Sequence, residues 1–125
     1  MEVGIKGRVE MTVAPEQSAK VVGSGLVDVF ATPAMVALME KTASSSVLPY
    51  LEDGQGTVGI SLNITHDAAT PIGMKVWCES ELIKVEGRKL TFKVEAFDEK
   101  ERIGGGTHER FIITTEKFQA KANAK

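Results

Sequence analysis

Three scarcities in this 125-residue sequence exclude whole classes of protein. Cys78 is the only cysteine, so an intrachain disulfide and a metal site built on cysteine spacing are excluded. No apolar run approaches the roughly 20 residues of a membrane span, and the N-terminus lacks the basic-then-apolar layout of a secretory signal. The net charge of -2, with lysines and glutamates interspersed, disfavours nucleic-acid binding. We therefore expect a single cytoplasmic domain over residues 1–125 that binds neither membranes nor nucleic acids.

A helix start is marked by Thr32 followed by Pro33. A threonine hydroxyl can accept hydrogen bonds from the free N–H groups of a first helical turn, and proline in that turn loses no bond. Pro49 disfavours helical geometry in the residue before it. The sequence therefore predicts a long, largely buried helix from Pro33 to about Leu48.

One carboxylate falls in an apolar stripe of this helix. Three- and four-residue spacing places Glu40 among aliphatic side chains, so we expect it to be buried. A buried acid requires a partner or a function. The alternative to a functional role for Glu40 is a structural ion pair with Arg88, Arg110 or a lysine.

Alternation of apolar and polar residues predicts the strands. The predicted strands cover residues 3–13, 57–66, 74–85, 90–96 and 103–114, and the polar tail 116–125 is expected to be frayed. One strand, one buried helix and four antiparallel strands indicate an α+β fold, in which about five strands wrap around one central helix. Unpaired strand edges invite association, so we expect a symmetric homodimer.

Thr32 and His66 are candidates for chemistry. A hydroxyl can attack directly or position a water, and an imidazole with a pKa near 6.5 suits proton transfer at neutral pH. The alternatives are a helix cap for Thr32 and a polar residue at a strand end for His66. Eight helical residues place Thr32 and Glu40 roughly 12 Å apart along the axis, so they cannot touch directly. His66 or the substrate would lie between them, from either chain of a dimer.

Several separate segments of the chain, in order, resemble one family. The segments are residues 29–32, 38–40, 49–52, 65–66, 85–88, 106–110 and 116–118. They resemble the hotdog-fold superfamily and, within it, the family typified by fluoroacetyl-CoA thioesterase. This resemblance implies a homodimer that hydrolyses an acyl-CoA thioester with Thr32, Glu40 and His66 as catalytic residues. It also places Gly59 and Arg110 near the acyl or CoA site.

The segment before the helix departs from the family pattern. Residues 22–26 read Val-Gly-Ser-Gly-Leu, where the fluoroacetate-specific enzyme has an aromatic lid. The resemblance therefore implies the thioesterase reaction much more strongly than the fluorinated substrate.

Thioester hydrolysis also requires donors for an oxyanion. The N–H groups of Ala34 and Met35, in the first helical turn, are candidates for that role. Gly59 weakens its strand, and one reason to have it is close approach of a ligand to the backbone. Glu40 could orient the histidine or act as a base with a raised pKa. Arg110 either lowers the pKa of a neighbouring acid or clamps a CoA phosphate.

No resident cofactor or metal is expected, with CoA entering only as part of the substrate. His66 and His108 are the only histidines, and neither has an acidic or cysteine partner at ligand spacing. We expect His108 to be a surface or structural residue, Trp77 and Phe92 core or interface aromatics, and Cys78 a small apolar strand residue.

Two functional classes stay open. The first is an enzyme that hydrolyses a small acyl-CoA thioester, and the second is a non-catalytic acyl-CoA-binding or sensing protein on the same fold. The presence of all three catalytic residue types favours the enzyme. A hydratase is a weaker third option, because no Asp or Asn lies near a histidine in the arrangement that this reaction requires.

Overall fold

A computed structural model describes residues 1–125 as one antiparallel sheet that packs on a long helix. The strands are β1 (Lys6–Thr12), β2 (Gln55–His66), β3 (Lys75–Glu86), β4 (Lys89–Asp98) and β5 (Arg102–Thr114). The helices are α1 (Ala19–Val22), α2 (Thr32–Val47) and α3 (Thr115–Asn123), with short 3-10 helices at Pro15–Gln17 and Leu48–Tyr50. The predicted hotdog architecture, five strands around one central helix, is confirmed.

The order of strands in the sheet is β1-β3-β4-β5-β2, with every neighbouring pair antiparallel. Alternating residues of β3 and β4 are buried, which explains the period-two pattern in the sequence. The two edges of the sheet are β1 and β2. In the β2–β5 ladder, Gly59 pairs with Arg110 and His66 pairs with Gly104, and the register shifts between Gly59 and Ser61. This ladder positions most of the residues discussed below.

Helix α2 begins at Thr32, one residue before the predicted start, and buries one face against the sheet. Its buried residues are Met35, Leu38, Met39, Thr42, Ala43 and Val47. Full burial of a large aliphatic side chain stabilises the fold by about 1.5–3 kcal/mol. Gly7 of β1 permits close approach of this helix, since a Cβ there would lie 2.9 Å from the Thr42 carbonyl oxygen. None of the helices combines the length and apolarity that crossing a membrane requires.

The core lies between α2 and the inner face of the sheet. Phe92 is fully buried there, as predicted. Cys78 is also fully buried, and burial raises the pKa of its thiol to about 11, so it acts as a small apolar residue. Trp77 differs from a core residue: it is only partly buried, stacks on Phe97 at 5.6 Å and has the Arg8 guanidinium 5.3 Å from its ring centroid.

The C-terminal segment is helical in the structure. Residues 116–125, expected to be frayed, lie mostly in α3, although no residue of that helix is buried. Glu116 in its first turn and Lys121 in its last complement the helix dipole. The Thr115 N–H donates to the Gly54 carbonyl at 2.9 Å, which attaches the start of the helix to the body of the protein.

Candidate active site

Thr32 and His66 form a direct contact where α2 begins and β2 ends. The Thr32 Oγ1 lies 2.7 Å from the His66 Nδ1. Ala31, with extended backbone angles of -71° and 142°, is the N-cap residue, and no side chain caps the helix. The helix-cap alternative for Thr32 is therefore wrong, because Thr32 is already the first helical residue and its hydroxyl contacts the His66 imidazole instead.

The surroundings of His66 favour its neutral form. Burial lowers the pKa of His66, and the nearby Asp67 carboxylate opposes this shift. The Phe30 ring stands edge-on to the imidazole, with 6.5 Å between ring centroids. His66 Nε2 is buried and has no hydrogen-bond partner. A neutral ring can accept a hydrogen bond from the Thr32 hydroxyl at Nδ1. This is the geometry in which a general base takes a proton from a hydroxyl group.

A cavity of about 230 Å³ opens beside this pair. Its lining residues are Ala19, Ser24, Val29, Phe30, Thr32, His66, Asp67, Ala68 and Ala69. The segment before α2 forms one wall, and no aromatic side chain lies within residues 22–26. Leu26 of this segment is 93% exposed, so it does not cover the cavity. The cavity therefore combines a reactive polar pair with a small, partly apolar lining.

Glu40 lies in a second cluster, beside the free edge of β2. Its Oε2 is 3.3 Å from the Nη1 of Arg110, so the ion pair left open by the sequence is formed with Arg110. The Glu40 side chain is 44% exposed, and the expectation of a buried acid is wrong for the single chain. The spacing of residues identified the correct helix face, but β2 is the last strand of the sheet and nothing in this chain covers Glu40 there.

Arg110 is buried and its donors are used by the protein. Its Nε donates to the Thr57 hydroxyl at 2.8 Å, and its Nη2 donates to the Thr57 carbonyl at 2.9 Å. Nη1 is shared between Glu40 and the Nε2 of His108, at 3.2 Å from the latter. This geometry favours the partner-of-an-acid alternative for Arg110 over a clamp on phosphate.

His108 and Gly59 complete this cluster. His108 is 1% exposed, so it is not a surface residue, and its Nδ1 lies 2.8 Å from the Ser61 carbonyl oxygen. A Cβ at Gly59 would lie 2.5 Å from Glu40 Oε2 and 3.3 Å from Arg110 Nη1. Gly59 thus leaves space for the ion pair. A hollow of about 190 Å³ adjoins the cluster, lined by Val36, Glu40, Gly59, Ile60, Ser61, Leu62 and His108.

The two candidate oxyanion donors differ in whether their N–H groups are free to bind a ligand. The Met35 N–H donates to the Ala31 carbonyl at 2.9 Å, and the Met35 side chain is fully buried. Met35 is therefore not a free donor, because the first hydrogen bond of the helix already uses its N–H. The Ala34 N–H donates to no backbone carbonyl and is available to a ligand.

One chain thus brings together Thr32 with His66, and Glu40 with Arg110, but it does not bring Glu40 to His66. Sequence reasoning missed Thr57 and the inward position of His108. The two-residue spacing of His108 and Arg110 on one strand was the available signal, since alternate residues share a face. Nothing in the sequence pointed to Thr57, which meets Arg110 only through the β2–β5 register.

Comparisons with known proteins agree with this architecture. A family model described as fluoroacetyl-CoA-specific thioesterase matches residues 13–116. The fluoroacetyl-CoA thioesterase of Streptantibioticus cattleyicolor is 49% identical over 98 residues, which are 78% of this chain and 70% of that protein. A solved structure of a fluoroacetyl-CoA thioesterase is 40% identical with a TM-score of 0.95, covering 100% of this chain and 97% of the other. A thioesterase superfamily member from Thermus thermophilus is 31% identical with a TM-score of 0.90, covering 98% and 91%.

The fold, the site and these likenesses define a hotdog-fold thioesterase. The chain belongs to the fluoroacetyl-CoA-specific thioesterase family. The family resemblance seen in the sequence is confirmed, and so are the enzyme class, a thioester hydrolase, and its reaction, hydrolysis of an acyl-CoA thioester. The non-catalytic binding alternative is set aside.

Proposed function

We propose that the acyl group released by this enzyme is small. The observation that carries this proposal is the 2.7 Å contact between the Thr32 hydroxyl and the His66 imidazole, beside a cavity of about 230 Å³. A cavity of this size suits a short acyl chain, and the relatives act on fluoroacetyl-CoA. Because residues 22–26 contain no aromatic side chain, we propose that the fluorinated ester is not strongly preferred over acetyl-CoA.

In the proposed reaction, the neutral His66 ring takes a proton at Nδ1 as the thioester carbonyl is attacked. Two attacking groups fit the geometry: the Thr32 Oγ1 itself, or a water that the Thr32 hydroxyl positions. The oxygen of the tetrahedral intermediate carries the negative charge, and the Ala34 N–H is a candidate donor to it. Collapse of the intermediate breaks the carbon–sulfur bond, and the His66 imidazolium returns its proton to the CoA thiolate. If Thr32 attacks, water then hydrolyses its acyl ester with His66 again as the base.

We further propose that the enzyme is a homodimer whose active site is shared between two chains. The support is the free edge of β2, twelve residues long, with Ile60 50% exposed on it. Such an edge pairs readily with a second copy. A two-fold axis between Gly59 and His66 would place Gly59, with its neighbour Glu40, opposite the partner's His66. This arrangement would unite the two clusters that a single chain keeps apart.

In this dimer, Glu40 orients the histidine or acts on the attacking water, and Arg110 and Gly59 support the site through Glu40. Arg110 holds the carboxylate, and Gly59 leaves the space that it occupies. CoA is bound only as part of the substrate, and no resident cofactor or metal is proposed. A cytoplasmic location stays a prediction from the sequence.

The direct test is release of free thiol from a panel of acyl-CoAs, from acetyl and fluoroacetyl to long-chain esters, with His66→Ala as the control. We expect turnover of the short esters and a loss of at least about 100-fold in kcat for His66→Ala, the usual scale for a general base. Preference for long-chain esters would contradict the small-substrate proposal. Equal turnover by His66→Ala would contradict the role of His66.

A further inference from the structure

His108 is a buried titratable residue that the proposed chemistry does not use. It lies on β5, 1% exposed, with the ring of Phe92 6.4 Å away between centroids. Both of its ring nitrogens have partners: Nδ1 meets the Ser61 carbonyl at 2.8 Å, and Nε2 meets Arg110 Nη1 at 3.2 Å. A side chain needed only to fill space would not require two matched polar contacts.

These partners select one form of the ring. A carbonyl oxygen only accepts hydrogen bonds, so the Nδ1 of His108 must carry a hydrogen to bond with Ser61. A guanidinium only donates, so Nε2 must be unprotonated to accept from Arg110. Only the neutral Nδ1–H tautomer satisfies both contacts. An imidazolium would direct an N–H group at the Arg110 cation.

Arg110 Nη1 is the atom that His108 and Glu40 share. The other two nitrogens of the guanidinium are fixed by Thr57, and Nη1 donates to the Glu40 carboxylate at 3.3 Å. Glu40 itself is 44% exposed, and Arg110 is its only hydrogen-bond or ion-pair partner in the chain. The position of this carboxylate therefore depends on how firmly Nη1 is held.

We propose that His108 is a positioning residue for the thioesterase reaction, which holds Arg110 Nη1 in place so that Glu40 is directed into the active site. This inference rests on the proposed function, in which Glu40 takes part in catalysis. His108 touches no reacting atom in this scheme. It acts through Arg110 and only as the neutral Nδ1–H tautomer.

The charged groups near His108 are Arg110 on the same face of its strand, Glu40 on α2 and, on the opposite face of its strand, Glu109. Burial lowers the pKa of His108, and Arg110 lowers it further, while the hydrogen bond to the Ser61 carbonyl and the carboxylates of Glu40 and Glu109 oppose the shift. Phe92 of β4 and the Ser61 carbonyl of β2 add no charge. Protonation at acid pH would convert the Nε2 acceptor into a donor and break its contact with Arg110 Nη1.

Two amide variants separate positioning from packing. In His108→Gln the amide oxygen can reach the place of Nε2 and accept from Arg110, whereas the shorter amide of His108→Asn can reach only the place of Nδ1. We expect His108→Gln to keep kcat within about 2-fold. We expect His108→Asn to lose about 10-fold in kcat with little change in KM, because a small misplacement of a catalytic group is costly. Equal losses in both variants, or a normal kcat for His108→Asn, would overturn the inference.

The same change in a Glu40→Gln background distinguishes the inference from the function on which it rests. If His108 acts through Glu40, His108→Asn adds no further loss of kcat there. A further loss of about 10-fold would overturn the inference and leave the proposed function standing. A Glu40→Gln enzyme with normal kcat would overturn both the role of Glu40 and the inference.

If the His108→Asn protein does not fold, the tautomer of His108 in the wild-type enzyme still tests the inference. The ¹⁵N chemical shifts of the His108 ring at neutral pH are expected to show a protonated Nδ1 and an unprotonated Nε2. The opposite tautomer, or an imidazolium, would overturn the inference.

Discussion

The two polar clusters of this enzyme differ in how completely their hydrogen bonds are satisfied. The Thr32–His66 pair has one contact between its members, an exposed threonine and a buried His66 Nε2 with no partner. In the cluster of Arg110 and His108, every nitrogen of both side chains has a partner. The first pair retains polar atoms for a substrate, and the second has almost none to spare. This contrast is expected of a reacting pair and of the framework that positions a third group.

The positions of the clusters in the fold explain the contrast. Thr32 and His66 lie where a helix starts and a strand ends, so neither residue is fixed by a ladder on both sides. Arg110 and His108 lie inside β5, which pairs with β4 and β2 along both edges. Regular strand pairing fixes the positions of Arg110 and His108, and Arg110 in turn holds Glu40 through their ion pair.

The largest effect is expected for Thr32→Ala. If the hydroxyl only capped the helix, its loss would cost about 1 kcal/mol of stability. Because Ala31 is the N-cap and Thr32 caps nothing, we expect little change in the free energy of unfolding and a loss of at least about 100-fold in kcat. Thr32→Ser, which keeps the hydroxyl, should retain both stability and activity. Thermal melts and thiol-release assays on the two variants check this, and a Thr32→Ala enzyme that is unstable but active would reverse the assignment.

A smaller effect is expected for Gly59→Ala. The added Cβ would lie 2.5 Å from the Glu40 carboxylate, so the Glu40 side chain or strand β2 must move. We expect a loss of about 10-fold in kcat from that displacement. Gly56→Ala on the same strand is the matched control, since its Cβ would meet only the Thr115 hydroxyl, at 3.0 Å. Equal activities of the two variants would show that the space at Gly59 is not needed for the reaction.

The smallest effect is in the pH dependence of stability, to which both clusters contribute. Burial lowers the pKa of His66 and of His108 below the ordinary value of 6.5. As the pH falls below 6.5, the unfolded chain binds protons that the folded chain does not, so stability decreases. We expect Tm to fall by a few degrees between about pH 6.5 and 5. The double variant His66→Asn, His108→Gln should lose most of this slope, and a slope as steep as that of the wild type would contradict the stated pKa directions.

Much of the fold followed from local patterns. Thr32–Pro33 and Pro49 delimit α2, and alternation delimits five strands, because both signals depend on neighbouring residues alone. That Thr32 does not cap the helix did not follow, since capping depends on the backbone angles of Ala31. The exposure of Glu40 did not follow either, because helical spacing shows which face a residue occupies and not whether another element covers it.

Two further differences have similar causes. The N–H of Met35 was expected to be free, but the first hydrogen bond of the helix closes on Ala31, outside the predicted helix. The tail was expected to be frayed, and α3 forms there with its start bonded to Gly54. Both depend on contacts with residues beyond the segment in question. The secondary-structure propensity of a segment carries no information about such contacts.

The central claim is that the active site unites the Thr32–His66 pair of one chain with Glu40 of another. The measurement that tests it most directly mixes two inactive variants, Thr32→Ala and Glu40→Gln, under conditions that allow subunits to exchange. Half of the resulting dimers are mixed, and each holds one intact site, so about a quarter of wild-type kcat should return. Each variant alone, taken through the same exchange, is the control. If the mixture stays as inactive as its components while exchange is complete, each site is built from one chain and the account is contradicted.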